Sequence, residues 1–223
     1  MKKMSDVRRM EIVRFEIRTE TEPDFRAVEE LTREAFWNLN TPGCEEHYLA
    51  HILRTHADFL PELDFVAVHG AEIIGNIMYT RSRVEDVPTV TFGPLSVLPV
   101  YQGQGVGSAL VRHTLPLCRE MGFRAVIIYG NPAYYGRFGF RAARDFDICT
   151  ADNMYAAALQ VLELYPGALD GVHGRFFESD AFETDVRAAE AFDKDFPRRE
   201  KRETPTQRDF QKIAAMREPR GRK

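Results

Sequence analysis

Long apolar runs are missing from this sequence. The longest, such as Ala125 to Tyr129, fall far short of the roughly 20 residues a helix needs to cross a bilayer, and the mean hydropathy is −0.36. A membrane-spanning helix is excluded and a soluble chain is expected. Cysteine is scarce: Cys44, Cys118 and Cys149 are odd in number and irregular in spacing, which excludes a disulfide framework or zinc knuckle and suits reduced thiols. An excess of one charge is missing too. Thirty Lys and Arg stand against 34 Asp and Glu, a formal charge of −4, so no global field draws the protein to nucleic acid or to an anionic membrane. No internal repeat or low-complexity tract is present. Lys2 and Lys3 are followed by Asp6, Arg8, Arg9 and Glu11 rather than by an apolar run, so no secretory leader is expected and the reading is cytoplasmic.

What the chain does have is core-forming material: 44% of its 223 residues are hydrophobic, enough for one globular domain with appendages. The composition shifts beyond Asp193. Residues 194–223 hold 11 Lys or Arg and 5 Asp or Glu, net +6, which leaves −10 for the rest. We therefore divide the chain into a domain over 1–193 and a basic tail over 194–223. The mixed run Arg198-Arg199-Glu200-Lys201-Arg202 reads as a solvated segment rather than a nucleic-acid site. Phe210, Ile213 and Met216 fall at helical spacing, which predicts a short helix docking on its own domain or on a second copy.

Alternation over Ile12–Ile17 predicts a strand. Thr21, Pro23 and Asp24 then open a helix whose stripe of Phe25, Val28, Leu31, Ala35 and Phe36 carries it to about Trp37. After the Asn40-Thr41-Pro42-Gly43 break, Tyr48, Leu49, Ile52 and Leu53 make a second amphipathic helix. Phe65–Val68 and Ile73–Tyr79 read as a hairpin, and Thr89–Leu98 as a third strand in which Gly93-Pro94 forces a bulge or splay. Val106–Met121 is helical up to the stop at Gly122, with a kink expected at Pro116. A buried strand at Phe123–Tyr129, a short helix at Pro132–Phe138 and a strand at Phe140–Ile148 follow. Ala156–Tyr165 reads as a strand partnered by Gly174–Phe177. Strand, Gly-rich loop, helix, strand is a crossover unit, so the class is α/β.

Gln102-Gly103-Gln104-Gly105-Val106-Gly107-Ser108 is the informative stretch. Three glycines at alternate positions before a helix let backbone N–H groups converge on an anion, and the helix dipole adds positive potential. A P-loop would need a Lys and a Ser/Thr that this loop lacks. A dinucleotide fold would put the third glycine one residue later and an acid about 20 residues on, and neither is present. The glycines of a simple tight turn would look the same taken alone.

Their surroundings decide between these. Leu95-x-Val97-x-Pro99, then Gln102-x-x-Gly105-x-Gly107, then Asn131-Pro132-Ala133-Tyr134-Tyr135-Gly136-Arg137-Phe138-Gly139-Phe140, resembles the GNAT superfamily of acyl-CoA N-acyltransferases, most closely its YhbS-like branch of predicted acetyltransferases. The resemblance implies a mixed, splayed central sheet flanked by helices. It implies acetyl-CoA as cosubstrate, no metal, and an acceptor that is a small-molecule or protein amine. Gln102, Gly103, Gln104, Gly105, Val106, Gly107 and Ser108 would hold the CoA pyrophosphate. Leu95 and Val97 would line the splayed strand whose main chain bonds the pantetheine arm and thioester, Asn131 would touch that arm, and Tyr135 would protonate the departing thiolate. One departure stands out. Relatives that acetylate lysine often carry a Glu base four residues before the Leu95 position, where this chain has Thr91. That keeps open a non-catalytic acyl-CoA-binding or regulatory module beside the enzyme.

Tyr134 reads as packing or a pocket wall, with a share in the role of Tyr135 as the alternative, and Phe138 and Phe140 as core. His47 and His51, four apart near Cys44, lack a fourth ligand and read as surface polar residues rather than a metal site. Residues 198–223 are expected to be dispensable for CoA binding.

Overall fold

Residues 13–221 are described by the computed structural model. The first strand, β1 (Glu16–Thr19), starts later than its alternation suggests, and Ile12 lies outside the described residues. Thr21 then organises the chain: its N–H and hydroxyl both bond Asp24 Oδ2, at 2.9 and 2.7 Å, a capping box that sets a single 3-10 turn ahead of α1 (Phe25–Phe36). Arg18 clamps the same carboxylate at 2.6 and 2.8 Å. The second helix, α2 (Glu46–Leu53), precedes the hairpin strands β2 (Phe65–His69) and β3 (Glu72–Val84) and then β4 (Val87–Val97).

The crossover follows as α3 (Val106–Glu120) and β5 (Ala125–Tyr129). Pro116 leaves α3 continuous: it sits on the exposed face, where its ring needs no core space and the carbonyl it frees meets water. α4 (Pro132–Tyr135) comes next, and beyond it the chain departs from the expected strand over Phe140–Ile148. Two short pieces, β6 (Arg141–Ala142) and β7 (Ile148–Cys149), are separated by a 3-10 turn. The break is topological, since β6 pairs with β9 (Leu159–Glu163) and β7 with β10 (Gly174–Phe177). For the same reason Gly174–Phe177 does not partner the 156–165 strand as expected. β9 takes the open edge of β5, while β10 pairs with β3 and β7. β8 (Met154–Ala156), α5 (Val186–Phe192), α6 (Pro205–Ala215) and β11 (Arg217–Pro219) complete the elements.

The main sheet runs β1-β2-β3-β4-β5-β9-β6, with β10 joining at the end of β3, and is mixed because β4 and β5 are parallel. Alternation along β3 explains its two covers. Ile77 and Tyr79 point into the core shared with Val106, Leu110 and Val111 of α3, while Met78 packs on Leu49, Ala50 and Leu53 of α2. Helices on both faces fix the β4 edge and the start of α3 rigidly against each other.

Candidate active site

β4 and β5 are held together by one register pair, Val90 with Val126. Beyond it the strands part: Leu95 and Val97 pair with Ile77 and Gly75 of β3 on one side and face a cleft on the other. An open strand edge offers N–H and C=O groups to an extended ligand. The chain leaves this edge through a 3-10 turn at Pro99–Tyr101 into the glycine loop. Gln102 Nε2 ties the loop back by donating to Val97 O at 3.0 Å, and Gln104 Nε2 donates to Val100 O at 2.7 Å.

Gly103 and Gly105 take φ of +75° and +90°, angles that L side chains avoid, and Gly105 is the residue from which α3 starts. A Cβ built on either glycine meets nothing within 4 Å. The space above the loop is therefore open, and the unpaired first N–H groups of α3, at Val106, Gly107 and Ser108, face it with the positive helix end behind them. Of the residues singled out from sequence, Leu95, Val97, Gln102, Gly103, Gly105, Val106, Gly107, Ser108, Asn131 and Tyr135 all line one cavity of about 1200 Å³. Gln104 does not line it. Its side chain is spent on Val100.

Across the splay, Asn131 Oδ1 caps α4 by accepting from Ala133 N at 2.9 Å. Its two amide hydrogens stay free to donate to a ligand. Tyr135 packs its ring against Phe92 and Phe140, with centroids 5.7 and 5.6 Å away. Gly130 makes room for it, because a Cβ there would fall 2.3 Å from a Tyr135 ring carbon. Burial pushes the Tyr135 phenol above its ordinary value, so it is protonated at neutral pH and able to donate. Tyr134 has a different place: its hydroxyl lies 3.1 Å from where a Gly107 Cβ would be, at the first turn of α3. Arg137 stacks over the Tyr134 ring at 4.4 Å and donates to Tyr134 O at 2.9 Å.

Residues 26–140 match the Acetyltransferase (GNAT) family. The chain is 34% identical over 161 residues to the uncharacterized N-acetyltransferase YhbS of Escherichia coli, covering 71% of this chain and 92% of that one. The chain belongs to the GNAT acetyltransferase family. The crystal structure of E. coli YhbS in complex with CoA superposes with a TM-score of 0.70 at 30% identity, over 77% of this chain and 93% of that one. A GNAT acetyltransferase of Brucella melitensis in complex with acetyl-CoA gives a TM-score of 0.62 at 26% identity, covering 76% and 99%.

Within this GNAT frame the acid–base groups are unusual. Thr91 is buried on β4 opposite Thr80, so the splayed strand presents no carboxylate at that position. Asp152 lines the cleft, but the Thr150 hydroxyl and the Arg217 guanidinium hold it below the usual carboxylate range, which makes it a weak base. Glu178, just past β10, is exposed and lies outside the cleft lining. Even so, the atoms crowding its carboxyl, and secondarily the Glu183 charge, push it up to about 7. Its charge in turn adds to the burial that raises the phenol of Tyr129, a cleft residue at the end of β5. His47 and His51 go separate ways. His47 is fully buried rather than at the surface as expected, because the Phe192 and Phe196 rings pack on it and Asp193 lies 3.2 Å away, whereas His51 stays exposed and meets Glu29 at 2.8 Å.

Gly130, Tyr129, Arg137 and the tail residues in the cleft wall were not legible as site residues. A glycine after a strand carries no mark of the ring it must admit. The stripe of Phe210 and Ile213 was visible as a helix, but not the surface it covers. Thr206, Asp209, Phe210, Ile213, Ala214 and Arg217 all line the cavity, which corrects the picture of the tail as an appendage outside the site. Its basic residues face the chain's own acids: Arg199 meets Glu34 at 2.6 Å and Lys201 meets Glu190 at 3.2 Å.

Proposed function

We propose that this protein transfers the acetyl group of acetyl-CoA to a primary amine by direct attack in a ternary complex. The observation that carries the reading is the juxtaposition of an anion-binding loop, a strand edge freed by the splay and a desolvated phenol around one cavity. In this reading the N–H groups of Gly103 to Ser108 bind the pyrophosphate. The β4 edge at Leu95 and Val97 bonds the pantetheine arm as an added strand and aims an N–H at the thioester oxygen, where charge develops. The amine nitrogen attacks the thioester carbon, the C–N bond forms and the C–S bond breaks. Tyr135 gives its proton to the leaving thiolate.

The amine must also lose a proton. Thr91 cannot take it, so the proton passes to water in the cavity or the amine enters in its neutral form. The three cysteines are free and buried, which fits work in a reducing cytoplasm. Among the described residues no helix is long and apolar enough to cross a membrane.

Tyr135→Phe tests the reading, since it keeps the ring and removes only the proton. Acetyl-CoA affinity should stay unchanged while amine-dependent thiol release falls by about 10² to 10⁴. The deficit should narrow as pH passes the thiol pKa of about 8.5, where the thiolate leaves unaided. An unaltered rate at neutral pH would remove Tyr135 from the mechanism.

A further inference from the structure

The tail is fastened at both ends. At one end Thr204 Oγ1 and Gln207 Nε2 donate to Asn38 O at 2.8 and 3.1 Å, and Thr206 Oγ1 donates to Leu39 O at 2.9 Å, all just past α1. At the other, β11 pairs with β8, Ala157 N donates to Met216 O at 2.9 Å, and Arg220 closes on Asp147 with two bonds of 2.9 Å. Between these anchors α6 has 11 residues, a span of about 16 Å at 1.5 Å per residue. It is a strap running from the α1–α2 connection to the β8 segment, and its inner face is a wall of the cavity that also contains Tyr135.

That wall is apolar. Phe36 at the end of α1, Leu39 just past it, Tyr129 from β5, and Phe210, Ile213 and Ala214 from the strap line the same space. Phe210, Tyr129 and Leu39 are 48%, 46% and 38% exposed and line the same cavity, so three large hydrophobic side chains left about half uncovered share one space, the pattern of a ligand wall rather than scattered surface residues. The carboxylates there already face cations of this chain: Asp152 meets Arg217 at 2.5 Å, and Asp209 meets Lys212 at 3.0 Å. These acids are paired within the chain, so the wall carries little net negative charge to select a polycation. The cavity, about 1200 Å³, exceeds the roughly 300–1,000 Å³ that one drug-sized ligand needs, so a thioester arm and a compact acceptor fit together.

We infer that the strap Thr204–Arg220 is the acceptor-specificity element, and that the acceptor is a small primary amine on an apolar or aromatic body rather than a polyamine or the lysine of a protein. This rests on the acetyl-transfer reading above. A polypeptide would have to pass a strap bonded at both ends, whereas a small arylalkyl amine needs only the apolar wall that is already there.

The test uses the full chain with acetyl-CoA and three kinds of amine: 2-phenylethylamine with its longer arylalkyl homologues, spermidine, and a lysine-bearing dodecapeptide. The expected result is a kcat/KM for the arylalkyl amines at least about 100 times that for spermidine or the peptide. Phe210→Ala should raise the arylalkyl KM by roughly 10 times, the effect of emptying part of a hydrophobic pocket, with KM for acetyl-CoA unchanged. Phe210→Trp, which fills the space, should shift the preference toward the shorter homologues relative to wild type. Phe210 is half-exposed, so both variants should melt near the wild-type temperature. Equal or better use of the peptide or spermidine, or Phe210 variants with unaltered amine KM, would overturn the inference while leaving acetyl transfer standing. Acetyl-CoA binding with no amine acetylated would overturn the transfer reading and this inference with it.

Discussion

Tyr135 and Gly130 act as a pair at the scale of single residues. The ring lies where a Gly130 Cβ would be, so Gly130→Ala must push the phenol off its seat against Phe92 and Phe140. Turnover should drop about as far as in Tyr135→Phe. The two should differ on heating, because only the alanine variant disturbs packing, by about 1–3 kcal/mol. Equal melting temperatures for Gly130→Ala and wild type would contradict the contact. Far from the cleft, Asp64 is buried beside the Glu20 carboxylate, and burial first and Glu20 second raise its pKa, while Asn76 Nδ2 donates to it at 3.0 Å. The folded chain thus holds a proton that the unfolded chain releases in the ordinary carboxylate range. The stability this gives is complete in acid and is lost as pH rises through the raised value. Asp64→Asn has no proton to lose, so its melting temperature should fall less than that of wild type between neutral pH and pH 10.

At the scale of elements, the glycine loop and the α3 N-terminus form one device. Gly105→Asp would place a side chain and a negative charge in the open space above the loop, at a φ of +90°. Wild type with acetyl-CoA at about 100 times its Kd should gain about 2.7 kcal/mol against unfolding. The variant should gain nothing, and an equal melting shift in both would refute the loop's role. This device was legible before any fold was known, because local chemistry specifies it. Alternate glycines, a helix start and Pro132 after Asn131 are each written within a few residues. The elements around Phe140–Ile148 were not legible. Their breaks answer to partners distant in sequence, with β6 against β9 and β7 against β10, and no local pattern records which edge a strand will find. α6 falls between these cases. Its capping box at Thr204 and Gln207 and its apolar stripe are local, but the wall it forms depends on the carbonyls of Asn38 and Leu39.

For the whole molecule, helices on both faces of a sheet split at β4 and β5 create a large open cavity to which the tail adds one wall. The account's central claim is that this cavity joins an acetyl group to an amine. The most direct measurement incubates the full chain with acetyl-CoA labelled in the acetyl carbons and a mixed amine pool, and follows labelled amide by mass spectrometry together with free CoA thiol. Labelled N-acetyl product and CoA appearing in equal amounts, and only when both substrates are present, is the predicted result. A protein that acetyl-CoA stabilises against heat but that forms no labelled amide with any amine would instead be the acyl-CoA-binding module, and would contradict the account.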